Sequence, residues 1–427
     1  MSARIAVIGT GYVGLTTGVC LADLGHTVVC ADIDAAKVAR LAAGEVPIVE
    51  DGLAELLASG LASGRLSFVV GAAVAAAQCE IAFLCVPTPQ GDDGSADLSY
   101  IEAASAEIGP LLPAGAIVVN KSTVPVGSTK AVERVIQRSD VHVVSNPEFL
   151  REGSAVRDFT HPDRVVVGAD DRSAAERVAS LYASLGARTI ITDPASAETI
   201  KYAANAFLAT KLSFVNAIAA ICEGVGADIE DVIAGIGSDS RIGASFLQPG
   251  PGWGGSCFPK DSRALVKIAE DAGYDFDLLT GVITVNDQQL DRMAAKVAAS
   301  VCGSLKGRSI AVWGLTFKAG TDDLRESPSI AVITRLLQAG ARVVAHDPTV
   351  AAHRFGVPAA VELADSPVDA CRNADALCVL TEWPLFREIA PVSVASVMTG
   401  RTVVDTRNLI DRAAWQAAGF VHQGVGR

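Results

Sequence analysis

At 427 residues, with 50% hydrophobic and 19% charged positions, the chain has length for about three domains of roughly 150 residues and apolar material for their cores, which excludes disorder over most of it. Its 35 Lys and Arg against 48 Asp and Glu give a formal charge of −13; a long nucleic-acid track is excluded, a local basic pocket for a small anion is not. The apolar runs at 68–79 and 212–222 stop well short of the roughly 20 residues a spanning helix needs, so no membrane partner is expected.

Nine cysteines without a Cys-x-x-Cys pair, and six scattered histidines, read as a reduced intracellular protein with no metal cluster and no disulfide framework. Arg4 leads at once into Ile5-Ala6-Val7-Ile8 and Gly9, a strand entering a turn rather than a secretory leader, so the cytoplasm is expected.

The strand at 5–8 is followed by Gly9-Thr10-Gly11-Tyr12-Val13-Gly14, a helix pattern over 13–24 closed by Gly25, and a strand at 27–31 ending at Asp32. Further strands are predicted at 81–86, 116–119, 141–145, 164–168 and 189–192, mostly followed by turn residues and helical stretches, which argues for a parallel sheet covered on both faces. From 195 to 224 helical spacing runs with almost no interruption, giving a helix of roughly 40 Å, and more helices follow to about 300. Then 309–314 repeats the pattern of 4–9, a helix is predicted over 328–338, and strands at 342–345, 376–380 and 402–404 follow. This half lacks the glycine fingerprint, so it is expected to bind something other than a dinucleotide pyrophosphate. The expected fold is α/β, with two doubly wound Rossmann-like domains, 1–195 and 301–427, joined by a helical central domain at 196–300 that holds the long connecting helix.

Gly9, Gly11 and Gly14 permit a tight turn and close backbone approach to a pyrophosphate at a helix N-terminus. Asp32 suits a ribose 2′-hydroxyl and repels a 2′-phosphate, which favours NAD over NADP. The other reading of such a turn is a helix merely packed on a sheet. Cys257 stands in Gly254-Gly255-Ser256-Cys257-Phe258-Pro259-Lys260-Asp261, ahead of a predicted helix and near Lys260, where a thiol becomes nucleophilic; the alternative is a small packed residue. The other eight cysteines are read as core. Lys201 and Asn205 share a helix face and suit an oxyanion, or are a solvated surface. Glu148 and Glu152 follow Asn146-Pro147 and suit catalysis or ordinary first-turn acids. Ser122 to Thr129 is a loop after a strand or a capped helix start. Lys318, Arg325 and Arg407 follow strands of the last third, and Arg241 lies in a glycine-containing loop; cations so placed can clamp phosphates.

Together these segments resemble the UDP-glucose/GDP-mannose dehydrogenase family. The matching motifs are Gly9 to Gly14, Val86-Pro87-Thr88-Pro89, Ser122-Thr123-Val124-Pro125-Val126-Gly127, Asn146-Pro147-Glu148-Phe149-Leu150-Arg151-Glu152-Gly153, Lys201-Tyr202-Ala203-Ala204-Asn205, Gly254 to Asp261, and Phe317-Lys318 through Pro328. The resemblance implies a four-electron oxidation of a sugar CH₂OH to a carboxylate with two NAD⁺ reduced. It implies Cys257 as the nucleophile; Lys201, Asn205 and Asp261 around the C6 oxygen and a water; and Glu148, with Thr123, in a final hydrolysis. It places NAD against Gly9, Gly11, Tyr12, Val13, Gly14, Asp32, Lys37, Thr88, Thr123, Glu152, Lys260 and Arg325. The nucleotide sugar falls to Glu148, Phe149, Leu150, Arg151, Lys201, Asn205, Arg241, Gly254, Lys318 and Arg407. Arg241 and Arg325 are expected to act across a subunit boundary, hence a homodimer or larger homo-oligomer. The Trp253-Gly254-Gly255-Ser256-Cys257 form points to UDP-glucose; GDP-mannose and UDP-N-acetylhexosamine are the alternatives, the last of these branches typically carrying His where Ser256 stands. A two-electron β-hydroxyacid dehydrogenase would leave Cys257 and the last third without work, and a non-catalytic NAD-binding protein would have no need of Cys257, Lys201 and Asp261 together.

Overall fold

The computed structural model describes residues 2–91, 95–350 and 355–427. The chain forms two compact units, Met1–Ala204 with Arg263–Gly273, and Asn205–Ser262 with Tyr274–Arg427.

The first unit is built on strands β1 (Arg4–Ile8), β2 (Thr27–Asp32), β3 (Leu66–Val70), β4 (Ile81–Leu84), β5 (Ile117–Asn120), β6 (His142–Ser145), β7 (Arg164–Gly168) and β8 (Arg188–Thr192). They lie in the order β3-β2-β1-β4-β5-β6-β7-β8. Alternation along the strands feeds two cores: Ile5, Val7, Phe83 and Val119 belong to one, Ala6, Ile8, Leu84 and Val118 to the other, as expected of a sheet covered on both faces. The strand order reverses between β1 and β4, the switch point where such sheets bind ligands beyond their carboxyl ends. β3 was not foreseen, because its residues open an apolar run that Gly71 and the helix Ala72–Ala76 then divide.

The sheet is parallel from β3 to β6, but β6 meets β7 in antiparallel sense through Ser145 and Gly168. β7 and β8 are parallel to one another. At this junction Asn146, directly after β6, adds a side-chain bond: its Nδ2 donates to the Val166 carbonyl of β7 at 2.7 Å.

In the second unit, β9 (Ser309–Trp313), β10 (Arg342–His346), β11 (Val361–Leu363), β12 (Ala376–Val379), β13 (Thr402–Asp405) and β14 (Val421–Gln423) form a parallel sheet in the order β11-β10-β9-β12-β13-β14. Its central winding repeats that of β1 to β5. Asp347, after β10, corresponds to Asp32 but is consumed internally. One of its carboxylate oxygens accepts from Leu315 N at 2.8 Å, Thr316 N at 3.2 Å and Trp383 Nε1 at 3.1 Å. The short strands β11 and β14, three residues each, lie below the length at which alternation is legible.

The long helix spans Pro194–Val225, 32 residues, one longer at each end than its periodicity suggested. By length and composition alone it would suffice to cross a membrane, a qualification to the limit drawn from uninterrupted apolar runs, because the helix continues through polar positions. Glu198, Lys201 and Asn205 on it are buried in the fold. Helices Ile229–Gly237, Phe258–Asp271 and Asp277–Ser300 follow, with no strand among residues 226–300.

Candidate active site

Gly9 opens the first turn at φ +95°, and a Cβ there would lie 2.6 Å from the Cys85 carbonyl oxygen. A Cβ on Gly14 would lie 1.9 Å from the Gly9 oxygen, whereas one on Gly11 would meet nothing within 4 Å. Gly9 and Gly14 are therefore required by the chain itself, and Gly11 leaves space at the N-terminus of the helix Tyr12–Asp23, where no side chain caps the backbone. Asp32 Oδ2 accepts from Thr10 N at 3.0 Å, Thr10 Oγ1 at 2.5 Å and Lys37 Nζ at 2.8 Å. Burial alone would push the Asp32 carboxyl up; Lys37, Thr10 and the Asp34 amide together hold it well below the usual range. The Tyr12 hydroxyl accepts from Gly153 N at 2.6 Å, as Glu50 Oε2 does at 2.8 Å. The glycine turn thereby holds the end of the Asn146–Gly153 segment. Val13 packs against the core beneath the turn.

The loops after β4 and β5 are laced together: Thr88 Oγ1 donates to the Thr123 carbonyl at 3.0 Å and Ser122 Oγ to the Val86 carbonyl at 2.7 Å. Beside them Lys201 Nζ donates to Glu148 Oε1 at 2.9 Å, and Leu150 N to Glu148 Oε2 at 2.5 Å. Phe149 lies under two cations, with Arg164 at 3.8 Å and Lys201 at 5.5 Å from its ring centre. Arg151 is turned to Asp158 at 2.5 Å, and Glu152 is half-buried.

In the second unit Cys257 stands half-buried immediately before the helix Phe258–Asp271. Its sulfur is 3.6 Å from Ser256 Oγ and its carbonyl accepts from Asp261 N at 2.9 Å. Asp261 is 1% exposed. It receives Asn205 Nδ2 at 2.7 Å on one oxygen and Lys260 Nζ at 2.6 Å on the other, so Lys260 is bound to the carboxylate. Lys201 and Asn205 stand one turn apart on the long helix. Seven other cysteines are buried, and burial pushes thiols such as Cys20 and Cys85 up to about 12. Cys302, read from sequence as core, is exposed with φ +66° in the turn after the helix Asp277–Ser300; there the helical pattern has already ended, so no face is left to bury it.

Gly254 is another enforced glycine, since a Cβ would lie 1.9 Å from the Glu326 carbonyl oxygen. Trp253 anchors this loop, its Nε1 donating to Ser213 Oγ and its backbone N to Asn286 Oδ1, both at 2.8 Å. Arg407 donates to the Leu380 carbonyl at 2.9 Å and the Phe317 carbonyl at 3.0 Å, which gathers Arg407 beside Phe317 and Lys318 after the strands of the second sheet. Arg241 and Arg325 stand apart, exposed, each paired with an aspartate two residues away, Asp239 at 2.6 Å and Asp323 at 2.7 Å.

Three family models match in succession: the NAD binding domain of the UDP-glucose/GDP-mannose dehydrogenase family over residues 3–186, its central domain over 195–288 and its UDP binding domain over 311–412. The chain belongs to the UDP-glucose/GDP-mannose dehydrogenase family. A UDP-glucose 6-dehydrogenase of Rhizobium meliloti is 46% identical over 99% of both chains. UDP-glucose 6-dehydrogenase TuaD of Bacillus subtilis is 45% identical over 99% of this chain and 93% of its own. Among solved structures, a UDP-glucose dehydrogenase from the hyperthermophilic archaeon Pyrobaculum islandicum superposes with TM-score 0.92 at 38% identity, covering 100% of this chain and 98% of that one. A UDP-D-ManNAc dehydrogenase from Pyrococcus horikoshii gives 0.89 at 27% identity over 99% of both chains.

As a member of this dehydrogenase family the chain is an NAD-dependent oxidoreductase. Its residues fit the dinucleotide: open space at Gly11, an uncapped helix N-terminus and an ionised Asp32 at the end of β2 are what a pyrophosphate and a ribose diol require. Sequence reading missed three buried groups around the family motifs. Lys121 follows β5 directly; Asn146 opens a family motif but carries no role there; Glu198 precedes Lys201 by one turn of the long helix. The legible signal for Lys121 was a charge ending an otherwise apolar strand.

Proposed function

We propose that this chain oxidises the C6 alcohol of UDP-glucose to the carboxylate of UDP-glucuronate through a thiohemiacetal and then a thioester on Cys257. The observation that carries the reading is the half-buried Cys257 before a helix whose first-turn Asp261 is locked to Asn205, in a chain whose relatives bear the name UDP-glucose 6-dehydrogenase. NAD⁺ held by the glycine turn would supply the two-electron acceptor for each of two oxidations at C6. Lys201 and Asn205 hold the C6 oxygen as its proton passes to a water oriented by Asp261. Cys257 adds to the aldehyde carbon, keeping a reactive intermediate bound, and Lys201 stabilises the oxygen again as the thioester forms. Water then attacks the thioester carbon, its proton passing to Glu148 while the C–S bond breaks and the Cys257 thiolate departs. Asp261 and Thr123 orient that water.

In this reading residues 1–195 hold NAD through Thr88, Thr123, Glu152 and the glycine turn, with Lys260 and Arg325 completing its site. Residues 301–427 hold the uridine diphosphate through Lys318 and Arg407, and Phe149, Leu150, Arg151 and Gly254 line the sugar. The central residues 196–300 pair two copies of the chain. Phe207, Phe214 and Ile221, spaced by seven on the long helix, are 65%, 52% and 57% exposed, the apolar stripe a helix presents to a second copy. Arg241 then serves the partner's substrate and Arg325 the partner's NAD.

The test is the number of NADH formed per UDP-glucose consumed by the native chain and by Cys257→Ser. Two per sugar, collapsing in the variant, is expected. One per sugar, unchanged by the substitution, sinks the thiol-linked double oxidation. Turnover of GDP-mannose or an N-acetylated sugar in place of UDP-glucose overturns the substrate.

A further inference from the structure

Lys121 is a cation, 5% exposed, to which the scheme above gives no work. It leaves the end of β5 just ahead of Ser122 and Thr123. Its Nζ donates to Asn146 Oδ1 at 3.2 Å and lies 5.5 Å from the centre of the Tyr182 ring. The Tyr182 hydroxyl donates to the same Oδ1 at 2.7 Å. Because Asn146 Nδ2 donates to a carbonyl, which only accepts, the amide must face Lys121 with its oxygen. The ammonium is thus fixed in place by neutral groups.

Cys85, Tyr182, Glu148 and Lys201 are the titratable groups around it. Burial pushes the Cys85 thiol up to about 12 and raises the Tyr182 phenol further, so both are neutral near pH 7. The charged groups in this buried cluster are therefore one anion, Glu148, and two cations, Lys201 and Lys121. Burial lowers Lys121 to about 8, against the pull of Glu148, and the Lys121 charge in turn helps to lower Glu148.

In the hydrolysis step Glu148 must be a carboxylate at the moment Lys201 serves the substrate oxygen. A buried carboxylate losing its only cation takes up a proton and ceases to be a base. We propose that Lys121 is a positioning residue for Glu148, the standing charge that keeps it ionised while Lys201 is turned to the substrate. This rests on the roles given above to Glu148 and Lys201. Lys121 touches neither substrate nor cofactor and takes no proton in the step.

The experiment compares kcat against pH, from about pH 5 to about pH 9, for the native enzyme, Lys121→Met, Lys121→Arg and Glu148→Gln. In Lys121→Met the acid limb moves up by about one pH unit, so that the rate on that limb falls about tenfold, with little change in KM for UDP-glucose. Lys121→Arg restores the limb, and Glu148→Gln lacks it. A Lys121→Met rate reduced by one factor at every pH, or an arginine no better than methionine, overturns the proposal. If the limb persists in Glu148→Gln, the base assignment to Glu148 is what fails; if it vanishes there but does not move in Lys121→Met, Lys121 alone is misassigned. Should Lys121→Met not fold, Lys121→Gln takes its place, and failure of both beside a folded arginine variant makes the role structural and overturns the proposal.

Discussion

Lys201 and Glu148 form an ion pair at 2.9 Å in which each side chain is 4% exposed. Burial alone would push Glu148 up, yet the Lys201 charge and hydrogen bond, the Leu150 amide and Lys121 bring it below the ordinary carboxylate range. Lys201→Met removes the largest of these and leaves a buried carboxylate under-compensated. The expected cost is about 3 kcal/mol of stability and about a hundredfold to a thousandfold in kcat.

The same pair sets an acid dependence. A depressed carboxylate contributes stability that is present above its unfolded value, about 4.3, and is lost as pH falls through its folded value. Urea unfolding at a series of pH values below neutrality is therefore expected to fall more steeply in the native chain than in Glu148→Gln. Equal slopes would mean that the buried pair is not ionised.

The glycine turn separates fold from ligand within one motif. A methyl at Gly14 would sit 1.9 Å from the Gly9 oxygen, and one at Gly11 would meet nothing within 4 Å. Gly14→Ala is expected to lower the melting temperature sharply or prevent folding, since backbone must move. Gly11→Ala is expected to leave melting unchanged and to weaken NAD binding about tenfold or more by crowding the pyrophosphate. A Gly11→Ala chain that binds NAD normally by calorimetry would remove this turn from the cofactor site.

The contrast shows what a sequence can and cannot display. The first unit's central strands were legible because buried parallel strands are short apolar runs bounded by turns, and the long helix was legible from its period. The reversal at β7 was not, because a short apolar run reads alike for a parallel and an antiparallel neighbour. Cys257, Lys201, Asn205, Asp261 and Glu148 were visible as motif members and were grouped by the resemblance; the direct bonds Lys201 to Glu148 and Asn205 to Asp261 were not legible from the residues, since those partners lie 53 and 56 positions apart in sequence. Lys121 and Glu198 carried no local signal stronger than a polar residue among apolar ones.

Glu198 is a second group of that kind. On the long helix, one turn before Lys201, its carboxylate accepts from Gly127 N at 2.6 Å, Thr129 N at 2.9 Å and Thr129 Oγ1 at 2.7 Å. It ties the end of the Ser122–Gly127 loop to the helix that bears Lys201. Glu198→Ala orphans those donors and is expected to cost about 3 kcal/mol, read as a lower melting temperature. It is also expected to lower kcat more than Lys130→Ala, a surface change on the helix Ser128–Ile136 that carries Thr129. Unchanged melting would mean that water replaces the carboxylate freely.

Lys121 adds an alkaline dependence of the same sense as that of Glu148, in a higher pH window. Its folded value, about 8, lies below the unfolded one, so the folded state gives up this proton first. Stability rises with pH between about 8 and about 10.4, and the charge costs about 3 kcal/mol at neutrality. Relative to Lys121→Met, the native chain should gain stability across that window in urea titrations. A constant difference would show that the ammonium is not strained by burial.

Asp32 and Lys37 are expected to decide between the two nicotinamide dinucleotides. The Asp32 carboxylate stays ionised through Lys37 at 2.8 Å and through Thr10, and it ends β2 where a ribose 2′-oxygen is read. An anion there repels a 2′-phosphate and accepts from a 2′-hydroxyl. In Asp32→Ser the repulsion is gone and Lys37, released from its partner, becomes a cation able to face the phosphate. The ratio of kcat/KM for NAD to that for NADP is expected to fall about a hundredfold, about 3 kcal/mol of discrimination. Adding Lys37→Ala should cancel the gain with NADP but not the loss with NAD, because the first depends on the freed ammonium and the second on the missing carboxylate. An unchanged ratio in Asp32→Ser would place the discrimination elsewhere in the turn.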